Sequence, residues 1–289
     1  MAAIATEQRQ YLTYILSHPA AQSCLELVPE RGGIVTRWQV GGKEILYLDG
    51  ERFANPDLSV RGGIPILFPI CGNLPDNTYT HAGSAYHLKQ HGFARDLPWR
   101  VSAQSQDNPL SLTLTLNSSD RTRAVYPFDF QLDFTYVLKQ NSLEIRQRYT
   151  NRSSSPMPFS AGFHPYFQVF EKSQLQFDIP SKLGQDQRTK AVSPFAGQFD
   201  FEQDEIDVAF LNLTSQLASV TDAHRKLHLQ LKYSPAFSTL VFWTLKGKEF
   251  YCLEPWTAPR NALNSGDHLL LLDPLSSTDL VFSLTVSDL

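Results

Sequence analysis

Period-two alternation is the feature that most restricts how this chain can fold. Leu110–Leu116 reads Leu-Ser-Leu-Thr-Leu-Thr-Leu, and Leu227–Tyr233 reads Leu-His-Leu-Gln-Leu-Lys-Tyr. Successive side chains of an extended strand point to opposite faces, so each segment presents one apolar and one polar face. Phe130–Leu138, Leu143–Tyr149 and Leu280–Val286 repeat the pattern less strictly. Shorter strands are expected at Gly33–Val40, Glu44–Leu48, Thr239–Thr244 and Phe250–Glu254, set off by turn formers such as Lys139-Gln140-Asn141 and Lys246-Gly247-Lys248. Helical signals are weak, the best being a short stretch at Thr6–Leu16. Gln185–Gly197 is polar and broken and reads as a long loop. No repeat and no Gly-rich strand-to-helix fingerprint is present. Many antiparallel strands without crossover helices imply an all-β fold, a large antiparallel sandwich, and one domain spanning residues 1–289.

Charge and cysteine content narrow the function classes. A hydrophobic fraction of 42% against 19% charged residues allows a sizeable core. A formal net charge of −4 without any Lys/Arg run argues against nucleic acid as a partner. A phosphorylated small substrate stays open, because two or three local arginines suffice for one phosphate. Cys24, Cys71 and Cys252 form no Cys-x-x-Cys spacing, which suits neither a disulfide framework nor a zinc site and fits a reducing cytoplasm. Met1–Gln10 lacks a basic start followed by an apolar core, so no signal peptide is expected. The longest leucine run, Leu269–Leu272, is too short to span a bilayer, so no membrane is expected either.

The candidate chemistry lies in a few strings. Arg-Gly-Gly-Ile-Pro-Ile-Leu-Phe-Pro at Arg61–Pro69 and Gln-His-Gly-Phe-Ala-Arg-Asp at Gln90–Asp96 combine glycine, proline and aromatics with few ionisable groups: Arg61, His91, Arg95 and Asp96. Such a frame can hold a polar side chain over a ligand, or can simply form two strand-to-loop corners. His164 sits inside Phe-Ser-Ala-Gly-Phe-His-Pro-Tyr-Phe at 159–167, where partial burial favours the neutral ring. Glu254 follows the apolar Phe250–Leu253 and precedes Pro255-Trp256. Desolvation there would raise its pKa and suit it to act as a base; the bland alternative bonds it to nearby backbone or to Arg260. Asp207 opens the apolar run Val208–Leu211, although Glu202, Asp204 and Glu205 beside it also fit a solvated acidic run. One histidine and one carboxylate near aromatics can work as an acid–base pair without metal, cofactor or nucleophile. No His-Glu-x-x-His and no Gly-x-Ser-x-Gly is present.

Five strings in order resemble the aldose 1-epimerase, or galactose mutarotase-like, superfamily, closest to its LacX-type and hexose-6-phosphate mutarotase branch. They are RGGIPILFP at Arg61–Pro69, GNLPDNTYTHAGSAYHLKQHGFARD at Gly72–Asp96, FSAGFHPYF at Phe159–Phe167, IDVAFLNL at Ile206–Leu213 and CLEPWTAPRNALNSG at Cys252–Gly266. The resemblance implies an antiparallel β-supersandwich and an isomerase that interconverts α and β anomers. It implies His164 as general acid and Glu254 as general base. It makes His91 and Asp207 substrate-binding, with Arg61 and Arg95 near the sugar or its phosphate. It implies a sugar or sugar phosphate as the partner, a cytoplasmic location, and a monomer or weak dimer.

One departure bears on specificity. Free-aldose members carry an Asn-Arg pair where this chain reads Asn73-Leu74. A charged hydroxyl ligand is thereby missing. Either Arg61 fills the gap or the substrate is a phosphosugar. The leading reading is an aldose or hexose-phosphate 1-epimerase; the competing one is a non-catalytic carbohydrate-binding sandwich or sugar sensor. The second would keep Asp207, His91 and aromatics without needing Glu254 and His164 together. A glycoside hydrolase fits less well, since it needs two carboxylates flanking the scissile bond.

Overall fold

In a computed structural model, which describes residues 2–107 and 109–289, the alternating segments pair side by side. Leu110–Asn117, Phe130–Leu138, Ser142–Asn151, Ser277–Asp288 and Leu227–Tyr233 are successive antiparallel neighbours in one eight-stranded sheet. Their leucine, phenylalanine and tyrosine positions are buried and the intervening polar ones, apart from the buried Thr115, are half-buried or exposed. The apolar face is closed by a second antiparallel sheet, in which Glu205–Phe210, Thr239–Leu245, Phe250–Trp256 and Gly162–Phe163 are consecutive neighbours. Aromatic contacts join the two sheets. Phe163 stacks on Phe282 at 5.2 Å, and Phe177 meets Phe242 edge-on at 5.1 Å. Such sheet-on-sheet burial is what one-faced strands require.

The second sheet explains a pattern that alternation alone misses. All seven residues of Phe250–Trp256 are buried. Tyr251 and Leu253 enter the main core, while Phe250, Cys252 and Trp256 belong to smaller clusters on the opposite side. A central strand covered on both faces reads as a continuous apolar run, and Glu254 is the charged interruption on the outer face.

Several expectations need correction. Thr6–Leu16 is two strands, Ala3–Gln8 and Leu12–His18, paired with Thr6 opposite Tyr14. Pairing with Ser23–Val28 and the β-branched and aromatic Thr13, Tyr14 and Ile15 outweigh a weak helical spacing. Gln185–Gly197 contains parts of a short hairpin, Leu183–Asp186 with Val192–Pro194. These strands lie at the sheet edge and are largely exposed, so they carry no burial period. Of Glu44–Leu48 only Lys43–Glu44 forms a regular pair, with Leu46 and Leu48 making single bridges. No helix among the described residues is long and apolar enough to cross a membrane.

Candidate active site

The outer face of the second sheet supplies the floor of a cavity of about 370 Å³. Along Glu205–Phe210, Ile206 and Phe210 point into the core, which leaves Glu205 and Asp207 on the cavity side. Asp207 lies opposite Trp243, and Trp243 lies opposite Cys252. Glu254 and Trp256 follow Cys252 at two-residue steps and so share its face. His164 comes from the bend after Gly162–Phe163, anchored by its own N–H to the Pro65 carbonyl at 3.1 Å. The walls come from the two Gly/Pro-rich strings. All six expected residues, His164, Glu254, His91, Asp207, Arg61 and Arg95, line this one cavity.

His164 and Glu254 meet directly. Nε2 of His164 is 3.3 Å from Oε1 of Glu254, while the Trp256 indole N–H donates to Oε2 at 3.1 Å. Glu254 is 1% exposed and His164 8%. Burial raises the Glu254 pKa well above the ordinary carboxylate value, and the negative Asp207 adds to the rise. Burial, then the positive Arg95, pulls His164 down to about 3. Both shifts favour the uncharged partner, a neutral imidazole beside a protonated carboxyl. The pair thus carries one proton that either member can hold. The His164 ring is kept in place by stacking on Tyr166 at 4.7 Å.

His91 is held in one tautomer. The Gly72 N–H donates to its Nδ1 at 3.0 Å, and the His91 N–H returns a bond to the Gly72 carbonyl at 2.7 Å. With Nδ1 accepting, the neutral ring carries its proton on Nε2 and is a donor there. Burial and Arg95 push its pKa well below 6.5, so it stays neutral. Its ring meets those of His164 and Trp256 edge-on at 5.4 and 5.6 Å. Arg95 donates to the Gln90 carbonyl at 2.9 Å and leaves a buried Nε without a partner among the described residues. Arg61 lies over the Trp243 ring at 5.9 Å.

Arg260 does not pair with Glu254. One of its terminal nitrogens, Nη2, donates to both Asp207 oxygens at 3.0 and 2.9 Å, and the guanidinium lies over Trp256 at 5.1 Å. Burial nonetheless raises the Asp207 pKa against the pull of Arg260. Asp207 is therefore a built part of the cavity and not a member of a solvated acidic run. Leu74 is 2% exposed and packs into the main core, so no polar group reaches the cavity from that position.

Sequence reasoning missed Arg260, Trp243, Trp256 and Arg52 as cavity residues. The two tryptophans carried a usable signal, lying on the same strand faces as Val241 and Glu254. Arg52 and Arg260 carried none, since Arg52 reaches in from the one-turn helix Gly50–Ala54 and Arg260 from an irregular segment. His164, Cys252 and Glu254 bring donor atoms within 4.8 Å of one another. That set is a poor cation cage, because burial keeps the thiol protonated and the positive charges of Arg95 and Arg260 act on the same carboxylate.

Comparison with known proteins follows the same lines. Residues 14–284 match the family model described as aldose 1-epimerase. The crystal structure of the Slr1438 protein from Synechocystis sp. PCC 6803 matches with a TM-score of 0.95 and 46% identity, covering 100% of each chain. A galactose mutarotase-like protein from Clostridium acetobutylicum shares the fold at a TM-score of 0.84 and 21% identity, covering 100% of this chain and 99% of that one. A protein of Cenchrus ciliaris named "Putative glucose-6-phosphate 1-epimerase" is 28% identical over 225 residues, 73% of this chain. The chain spans 65% of that relative's length.

Proposed function

The chain belongs to the aldose 1-epimerase family, and on that premise we propose that it interconverts the α and β anomers of a hexose 6-phosphate. The observation that carries this reading is the buried His164–Glu254 pair, 3.3 Å apart on the floor of a hexose-sized cavity. Anomer exchange needs one proton removed from the C1 hydroxyl and one delivered to the ring oxygen. The C1–ring-oxygen bond then breaks to give the open-chain aldehyde. Rotation about C1–C2 presents the other carbonyl face, and ring closure returns both protons. In the ion-pair form of the couple, Glu254 is the base and His164 the acid. After ring opening the roles are exchanged, so a pair sharing one proton serves both directions. The Nε2–H of His91 is a neutral donor suited to charge developing on a sugar oxygen. Binding both reactive groups against one ring supplies the orientation.

The phosphate preference rests on charge. Arg52, Arg61 and Arg95 line the cavity, and none forms an ion pair among the described residues. Guanidinium groups without carboxylate partners suit a dianion. The Cenchrus ciliaris relative, named "Putative glucose-6-phosphate 1-epimerase", agrees. A sugar-binding module without catalysis would not need a carboxyl buried against an imidazole.

The test is anomer exchange followed by polarimetry or a dehydrogenase-coupled assay on glucose, galactose and their 6-phosphates. The 6-phosphates should be turned over with the higher kcat/KM. Glu254→Gln and His164→Asn should each lower the rate by about 10²–10⁴-fold without loss of fold. Near-wild-type rates in either variant would sink the acid–base assignment, and equal kcat/KM for free and phosphorylated sugars would sink the phosphate preference.

A further inference from the structure

Glu254 has two carboxyl oxygens, and the fold treats them differently. Oε1 is 3.3 Å from Nε2 of His164, its partner in the proton exchange. Oε2 accepts the Trp256 indole N–H at 3.1 Å. Apart from His164, Trp256 is the only side chain that hydrogen-bonds this carboxyl among the described residues. A buried carboxylate lacks the hydration that water would give its charge, so a single fixed donor carries weight.

The indole is fixed before any substrate arrives. It is 1% exposed and packs with Leu67, Cys71, Ala209 and Val241. Its backbone pairs with Thr239 on one side and Gly162 on the other. Gly162 makes room for the ring: a Cβ there would lie 2.9 Å from Trp256 Cδ1, the carbon bonded to the indole nitrogen. Packing therefore holds the donor in place whether the carboxyl is charged or neutral.

The donor acts on the charged form, because an N–H aimed at an oxygen stabilises a carboxylate more than a carboxyl. The charged and titratable groups around Glu254 are His164, Asp207, Arg95 and Arg260, with the thiols of Cys71 and Cys252 and the phenol of Tyr166. Burial and Asp207 disfavour the carboxylate; Arg260, then Trp256, then Arg95 favour it. Arg260 is bonded to Asp207, so those two charges act on Glu254 in opposite directions. Trp256 remains as the neutral group that supports the carboxylate by direct contact.

We propose that Trp256 is a positioning residue for proton transfer: its indole N–H pins Oε2 of Glu254, so that the proton enters and leaves through Oε1, the oxygen facing His164. Without that bond the carboxyl is free to turn, and the ion-pair form in which Glu254 acts as base is less populated. This inference rests on the epimerase reading above.

The experiment uses Trp256→Phe, which keeps an aromatic ring and removes the N–H, after near-UV circular dichroism shows it folded. Anomer exchange of glucose and glucose 6-phosphate is followed across pH. Wild-type exchange is the control for the reading itself; its absence would refute the epimerase assignment and this role with it. Given that exchange, kcat of Trp256→Phe should fall about 10–100-fold while KM changes by a few-fold at most. Losing the donor leaves the carboxyl holding its proton more tightly. The alkaline limb of kcat, where the pair gives up its shared proton, should therefore move to higher pH. A merely structural tryptophan would lower kcat without moving that limb. A wild-type kcat in Trp256→Phe, or an unmoved limb, would overturn the proposal. A second measurement needs no tryptophan variant. Of the four indole N–H resonances in the NMR spectrum of the wild type, one should shift along the same limb, and that shift should vanish in Glu254→Gln. Four indole signals indifferent to Glu254→Gln would overturn the proposal as well.

Discussion

At the residue scale, Glu254 and His164 tie the site to the stability of the fold. His164 is pulled from 6.5 to about 3 in the folded protein, by burial first and Arg95 second. Between those values the unfolded chain binds a proton that the folded protein lacks, so stability falls as pH drops from 6.5. Glu254 is displaced upward from 4.5. There the folded protein keeps a proton that the unfolded chain has released, so stability falls as pH rises from 4.5 through the folded value. The two slopes are opposed, so they offset each other wherever both groups differ in protonation between the folded and the unfolded chain. Melting temperatures across pH check this. Glu254→Gln should gain on the wild type as pH rises above 4.5, and His164→Asn should gain on it as pH falls below 6.5. Variants that track the wild type at every pH would remove burial as the cause. Both residues were legible in the sequence as polar groups in apolar strings. Their contact was not, because nothing along the chain encodes distance between segments so far apart. The partner of Arg260 was not legible for the same reason: Glu254 is nearer in sequence, but the guanidinium donates to Asp207.

At the element scale, the site depends on where strands stop. Phe250–Trp256 delivers Glu254 and Trp256 to one face because Cys252–Trp256 pairs with Thr239–Trp243 along one edge, while the other edge is held at Trp256 by Gly162 and at Phe250–Cys252 by Tyr166–Gln168. The cavity wall carrying His91 depends on irregular backbone around Gly72, which bonds His91 through both its N–H and its carbonyl and makes room for Arg260. Gly72→Ala should therefore destabilise the fold by about 1–3 kcal/mol, from a strained backbone angle plus a displaced Arg260 stem. Denaturant unfolding would read the first effect and an increased KM the second. A wild-type unfolding midpoint would show that the contact relaxes freely. Alternation marked the one-faced strands of the first sheet well, with Leu227–Tyr233 and Phe130–Leu138 matching residue for residue. It failed at Thr6–Leu16 and Gln185–Gly197, where strands are short, exposed or at an edge and carry little periodic burial.

For the whole molecule, the two eight-stranded sheets and a five-stranded sheet formed by residues 3–44 share one core that draws on residues from Leu16 to Val286. Ser277–Asp288 sits in the middle of the first sheet, paired with Ser142–Asn151 on one side and Leu227–Tyr233 on the other. Its Leu280, Phe282, Leu284 and Val286 are buried. Deleting residues 277–289 should abolish cooperative folding, because it exposes two new strand edges and empties a row of the core. Deleting residues 1–8 should cost far less, since Ala3–Gln8 is an outer strand paired on one side only. Near-UV circular dichroism and thermal melts distinguish the two; a cooperative melt in the shorter-tailed protein would refute this ranking. The sequence by itself determined the all-β class, the strands with one buried face, and the residue types capable of proton transfer, because side-chain periodicity and local chemistry are written along the chain. Tertiary structure alone decided which of those residues share a cavity, which carboxylate Arg260 neutralises, and which tautomer His91 adopts. Each of those is set by contacts between segments distant in sequence, and burial at those contacts shifts the proton affinities on which the proposed chemistry depends.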